Sequence, residues 1–147
     1  MKTSISVLLD RKESSIQSVT AATTVADAVK VMNEQKVSSV LVMDDGKLRG
    51  IFTERDVLRR VVGDKLDPIK ATMSDVMTSG LTTVTTQTTI EEALEIFTQK
   101  VCRHLPVVEG DKVVGMISVG DLSRWLAEVH RAEAEQLKDY ISGGFSA

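Results

Sequence analysis

Two short stretches carry most of the chemistry open to this sequence. Gly50 to Asp56 reads GIFTERD, and Gly115 to Asp121 reads GMISVGD. Both run Gly, two apolar residues, Thr or Ser, two variable residues and Asp, and the two Asp residues lie 65 positions apart. A Thr or Ser followed three residues later by an acid, at a strand-to-helix turn, is an ordinary helix N-cap. The same geometry can also hold a ligand. A helix N-terminus presents free N–H groups and a positive dipole end, which suit a phosphate. An Asp in the first turn carries two acceptor oxygens, enough for both hydroxyls of a ribose cis-diol. A Gly two apolar residues before the hydroxyl lets a flat group approach the strand backbone. Arg55 precedes Asp56, and Arg59 and Arg60 follow one turn later. In the second half Arg103 and His104 precede an apolar run, completing a set of phosphate donors.

The elements that must position these residues repeat with them. Shifted by 65 residues, VTAATTVADAVKVM from Val19 falls on VTTQTTIEEALEIF from Val84 without a gap. VLVMDDGKLRGIFTERDVLRR from Val40 likewise falls on LPVVEGDKVVGMISVGDLSRW from Leu105. So long a period points to two subdomains rather than a solenoid. In each copy a Thr, Thr24 or Thr89, caps a helix with an acid three residues on, Asp27 or Glu92. Ala28, Val29 and Met32, and Ala93, Leu94 and Phe97, follow at helical spacing. Two short apolar runs come next, joined by Asp44-Asp45-Gly46-Lys47 in one copy and Glu109-Gly110-Asp111-Lys112 in the other, both hairpin signals. A second helix starts at each Thr/Ser-x-x-Asp. The order per copy is β-α-β-β-α, in an α/β (α+β) fold, and neither three-stranded half buries its sheet alone. A connector with a short helical turn at Ser74–Met77 separates the copies. The last helix runs on through Trp125, Leu126, Val129, Leu137, Tyr140 and Ile141 to Gly143-Gly144. Its surplus apolar stripe suits a dimer contact or a clamp across the two halves. The expected division is 1–70, 71–128 and a C-terminal extension 129–147.

Composition narrows the classes. Hydrophobic residues make up 42% of the 147, but aromatics only 3%, so the core must be aliphatic, as α/β packing favours. A net charge of −3 argues against a nucleic-acid protein, which needs concentrated positive charge. The single cysteine, Cys102, forms no internal disulfide and no thiolate metal cage. No run approaches the roughly 18 apolar residues that span a membrane. Met1 to Thr24 lacks a signal-peptide core, so the cytoplasm is the expected compartment. Cys102 and His104 fall on one face of a strand without forming a nucleophile–base pair, and the two histidines, His104 and His130, offer no metal site. No catalysis is expected.

The paired copies, each ending in Gly, two apolar residues, Thr or Ser, two residues and Asp, resemble a tandem of cystathionine-β-synthase (CBS) domains, a Bateman module. The resemblance covers roughly Ser4 to Leu126, and RHLPVV, TERD and the terminal helix are similar to those of stand-alone bacterial CBS-pair proteins. It implies two subdomains related by pseudo-two-fold symmetry, with adenosine ligands in the clefts between them and no metal required. AMP is the favoured ligand, with ADP, ATP, NAD and S-adenosylmethionine as alternatives. Carried over residue by residue, one site would use Ile51, Thr53, Arg55, Asp56, Thr78, Leu81, Thr82, Cys102, Arg103 and His104. Its counterpart would use Lys12, Ile16, Gln17, Val37, Ser38, Ser39, Met116, Ser118 and Asp121. The copies differ in a way that ranks the sites. Glu54-Arg55 in the first becomes Val119-Gly120 in the second, and Arg103-His104 in the second stands where the first has Ser38-Ser39. Both basic features converge on Asp56. The expected function is a regulatory adenine-nucleotide sensor, a homodimer that signals energy or metabolic state to a partner protein. The alternative is an interaction or dimerisation module with vestigial clefts.

Overall fold

The computed structural model describes residues 3–11 and 16–144, the backbone alone at 134 and 137–144. Lys12 lies outside the described residues, as do the side chains of Leu137, Tyr140 and Ile141. The fold is mixed α/β and follows the predicted order, with one short helix, α1 (Ser6–Arg11), ahead of the first copy. That copy comprises β1 (Ser18–Val19), α2 (Val25–Gln35), β2 (Ser39–Asp44), β3 (Lys47–Thr53) and a helix after the motif. The connector holds α4 (Met73–Val76). The second copy holds α5 (Ile90–Lys100), β4 (His104–Glu109), β5 (Lys112–Ser118) and the long α6 (Val119–Gly144).

By packing, the described residues divide into two compact units, one of 16–85 with 106–115, the other of 3–11, 86–105 and 116–144. In the first, β2 pairs antiparallel with β3 and parallel with β1. Asp45 and Gly46, both at positive φ (51 and 75), make the two-residue turn that Asp-Gly favours between twisted strands. The β2 residues Ser39 to Val42 are all buried, which is why this strand reads as a continuous apolar run. Val40, Val42 and Phe52 pack with Val25, Ala28 and Met32 of α2 and with Met73 and Val76 of α4. In the second unit the segment 3–11 is tied to the second copy. The Ile5 N–H donates to Thr88 O at 2.9 Å and the Ile90 N–H to Thr3 O at 2.8 Å. Ile5, Leu8, Ile90, Ala93, Phe97, Leu122 and Trp125 are buried there.

The repeat extends to individual pairings. Val19 pairs with Val42, and Val84 pairs in parallel with Val107, each residue 65 positions from its counterpart. Yet β1 is a two-residue strand while Val84 makes only an isolated bridge. One atom accounts for this. The Leu41 N–H donates to Gln17 O at 3.0 Å, and Leu41 corresponds to Pro106, which has no N–H to offer Thr82.

The expected caps are present. Thr24 Oγ1 accepts the Asp27 N–H, and Thr89 forms a reciprocal capping box with Glu92. At the other ends, Lys36 and Val101 stop α2 and α5 in the left-handed conformation, at φ 55 and 51. A β-branched residue is a poor choice there, costing about 1–2 kcal/mol relative to a relaxed backbone. Val101 is 87% exposed, so no packing offsets that cost. Val101→Gly is therefore expected to raise stability by about 0.5–1 kcal/mol in urea unfolding, after the entropy that glycine adds to the unfolded chain. A lower midpoint in the variant would show that Val101 is not strained.

Candidate functional site

Each motif folds as a strand running into a helix start, and the carboxylate locks the junction. In the first copy the Thr53 N–H donates to Asp56 Oδ2 at 2.9 Å, and Thr53 Oγ1 accepts from the Asp56 N–H at 3.4 Å. In the second, the Ser118 N–H donates to Asp121 Oδ2 at 2.8 Å, and Ser118 Oγ accepts from the Asp121 N–H at 3.1 Å. Both Asp residues are buried to the same degree, 9% exposed. The residue just ahead of β2 or β4 supplies a further tie. The Glu54 N–H donates to Ser38 O and the Val119 N–H to Arg103 O, each at 3.0 Å. So Ser38 and Arg103 sit by backbone pairing beside the motif of their own copy.

The cap thus engages one carboxylate oxygen, and the two copies differ at the other. Asp121 Oδ1 accepts from Arg124 Nη2 at 2.6 Å, a short charge-assisted bond from a side chain 71% exposed. Among the described residues, Asp56 Oδ1 has only long neighbours: Thr78 Oγ1 at 3.5 Å and Arg60 Nε at 3.7 Å. Neither is a strong hydrogen bond. Sequence reasoning missed Arg124, although an Arg three residues after an Asp on a helix is a recognisable pairing signal. It restores a guanidinium to a motif that lacks one at Gly120.

The helix after Asp56 is not the regular α-helix expected. Only Glu54–Asp56 (α3) is α-helical, and Val57–Val62 is a π-helical stretch, with the Gly63 N–H reaching back five residues to Leu58 O. Here the residue beside Asp56 is Arg60, at i+4, where the α-helical second copy uses Arg124, at i+3 and the counterpart of Arg59. Arg60 is not a free phosphate donor: its Nη1 donates to Val76 O at 3.0 Å and Met77 O at 2.8 Å. Arg55 and Arg59 are exposed.

The glycine of the first motif also has a different neighbour from the one expected. A Cβ on Gly50 would lie 2.7 Å from Thr78 O and 2.8 Å from Met77 Sδ. What approaches the strand here is the chain's own Thr78 carbonyl, together with the Met77 side chain. Ile51 and Thr78 exchange both backbone hydrogen bonds, at 3.0 and 2.9 Å, and this pairing delivers the Thr78 hydroxyl to Asp56.

Of the first set of candidate residues, Ile51, Thr53, Asp56 and Thr78 are brought together in the unit of 16–85 and 106–115, which also holds Arg55, Leu81 and Thr82. Cys102, Arg103 and His104 belong to the other unit. Of the second set, Met116, Ser118 and Asp121 lie in that other unit, and Ile16, Gln17, Val37, Ser38 and Ser39 in the first. Burial pushes the Cys102 thiol up from its ordinary value, only partly offset by a backbone hydrogen bond. That is the reverse of an activated nucleophile. Among the described residues, no group of three or more His, Cys, Asp or Glu is placed to hold a metal, and no helix is long and apolar enough to cross a membrane.

The family model described as CBS domain matches residues 12–63 and again 73–128. The chain belongs to the CBS-domain family. A mitochondrial CBS domain-containing protein of Arabidopsis thaliana is 37% identical over 83% of this CBS chain, which spans 62% of that relative's length. The solved structure of a putative signal-transduction protein with CBS domains from Burkholderia ambifaria is 33% identical. It covers 84% of this chain and 93% of its own, with a TM-score of 0.81. A more distant CBS domain pair, solved in complex with 5′-methylthioadenosine and S-adenosyl-L-methionine, is 20% identical with a TM-score of 0.73, covering 82% of this chain and 95% of its own. The repeat and the tandem CBS fold expected from the sequence are those of this family.

Two outcomes follow from the local geometry. Gly50→Ala must push the Thr78 carbonyl and the Met77 side chain off β3, and is expected to cost about 1–3 kcal/mol in urea unfolding, as overpacking does; a loss under about 0.5 kcal/mol would mean the segment yields freely. The raised Cys102 pKa means that folding favours the neutral thiol. Its contribution is complete below the unfolded thiol value and is lost as pH rises through the higher folded one. At pH 7.5 iodoacetamide should label Cys102 more slowly in the native protein than in urea-unfolded chain, and equal rates would contradict the burial.

Proposed function

We propose that this CBS pair is a non-catalytic regulatory module that binds an adenine nucleotide and signals energy or metabolic state to a partner protein. AMP is the preferred ligand, ahead of ADP, ATP, NAD and S-adenosylmethionine, and no metal is required. The observation that carries this reading is Asp56 Oδ1, an oxygen of a buried carboxylate that has, among the described residues, no hydrogen bond shorter than 3.5 Å. A ribose hydroxyl is the kind of donor that completes it. The adenosine compounds named with the distant CBS pair support the ligand class. The Asp56 site would use Ile51, Thr53, Arg55, Thr78, Leu81 and Thr82, all of which lie in the same unit as Asp56. The Asp121 site, with Met116 and Ser118 of its own unit, is the weaker, because Arg124 already engages Asp121 Oδ1 at 2.6 Å. The raised Cys102 thiol speaks against that residue as a nucleophile.

The module acts as a homodimer in the cytoplasm. Leu58, Val62 and Ile69 are all more than 60% exposed, which supports an association face. The same observation favours the second reading, an interaction or dimerisation module with vestigial clefts.

Calorimetry separates the two. Asp56→Ala is expected to weaken AMP binding by about ten- to 150-fold, corresponding to about 1.5–3 kcal/mol for a hydrogen bond to a charged group. Asp121→Ala should change it by less than about threefold, since that carboxylate already has its partners. Unchanged affinity in Asp56→Ala would remove the ribose role. If no adenosine compound at millimolar concentration raises the melting temperature, the interaction module is the correct reading.

A further inference from the structure

We infer that Arg60 is a positioning residue, whose guanidinium clamps the segment Met73–Thr78 to the turn that carries Asp56. The inference rests on the reading of Asp56 as the ligand-binding carboxylate only for its effect on affinity. Its structural basis is a closed ring of contacts. Arg60 Nη1 donates to two successive carbonyls, Val76 O and Met77 O, at 3.0 and 2.8 Å. Its Nε faces Asp56 Oδ1 at 3.7 Å. The next residue, Thr78, pairs with Ile51 through both backbone groups and turns its hydroxyl to the same Oδ1.

Each link has a physical reason. The last carbonyls of a helix lack intrahelical donors, and here they follow α4 at Met73–Val76. A guanidinium can satisfy two of them with one nitrogen while another nitrogen faces a carboxylate, because its donors form a rigid planar fork. Residue 60 lies in the π-helical stretch Val57–Val62, four residues after Asp56 and on the same face of the helix. The second copy has no such device: its counterpart residue is Trp125, which is buried in an α-helix. The clamp is therefore a feature of the Asp56 half alone. Without it, core packing would still hold Met73 and Val76, but Thr78 itself would rest on the Ile51 pairing and a 3.5 Å contact to Asp56. Binding would then have to order both.

The test compares Arg60→Met, which keeps the apolar stem, with Arg60→Lys, which keeps the charge on a single nitrogen. Amide exchange of Thr78 and Ile51, followed by NMR on the full chain, reads the clamp. In Arg60→Met both amides should exchange roughly tenfold faster or more, with Arg60→Lys in between, while core amides such as Val42 keep their rates. AMP affinity by calorimetry should fall roughly five- to twentyfold in Arg60→Met and be partly restored in Arg60→Lys. Wild-type exchange at Thr78 in both variants would overturn the clamp, as would an equal acceleration across the core. If AMP does not bind the wild type, the nucleotide reading fails, and the exchange rates still decide the role of Arg60.

Discussion

Everything at the two motifs depends on a single hydrogen bond, donated by the last backbone N–H of a strand to a carboxylate three residues later. Thr53 gives it to Asp56 and Ser118 to Asp121, at 2.9 and 2.8 Å. That bond satisfies a donor the helix cannot. It fixes the angle at which β3 or β5 enters the helix, and holds a carboxylate in a largely buried position. It also decides which oxygen remains for other partners. Oδ2 belongs to the fold, and Oδ1 faces whatever each copy places beside it. Structural cap and candidate ligand group are therefore not competing explanations of one aspartate. They are its two oxygens.

Around this shared core the two copies have diverged by single residues with traceable consequences. Pro106 in place of Leu41 removes one ladder donor and reduces a short strand to a bridge. Arg124 bonds Asp121 directly, while in the first copy the π-helical stretch presents Arg60, which turns to the carbonyls of Val76 and Met77. The result is one carboxylate with a short charged partner and one with only distant ones. For a CBS pair that differs from its counterpart so locally, the difference lies in the loops and helix starts rather than in the sheets.

Gly50 joins these two levels. Its missing Cβ admits the Thr78 carbonyl and the Met77 side chain against β3, and through Thr78 the connector reaches the motif. The connector is thus part of the structure of the first motif rather than a spacer between two copies. Its apolar residues Ala71, Met73 and Val76 are buried in the same cluster as α2 and β2, so its position is set by packing as well as by hydrogen bonds.

The sequence by itself determined the repeat, the β-α-β-β-α order, the caps at Thr24 and Thr89, the Asp-Gly turn and the identity of the two aspartates. All of these are written in neighbours a few residues apart or in a period that can be read by eye. Arg124 was within the same reach, since a helical i,i+3 pair is local. What only the tertiary structure decided involves partners distant in the chain. These are Met77–Thr78 against Gly50, Arg60 on the connector's carbonyls, and residues 3–11 tied to Thr88 and Ile90. The π-helical stretch belongs with them. Local preference favours an α-helix over VLRRVV, and the widened turn coincides with a buried Val61 and an Arg60 engaged across the unit. A one-dimensional pattern records which residues a turn or a helix needs. It does not record which carbonyl, sixteen or seventeen residues away, a guanidinium will find.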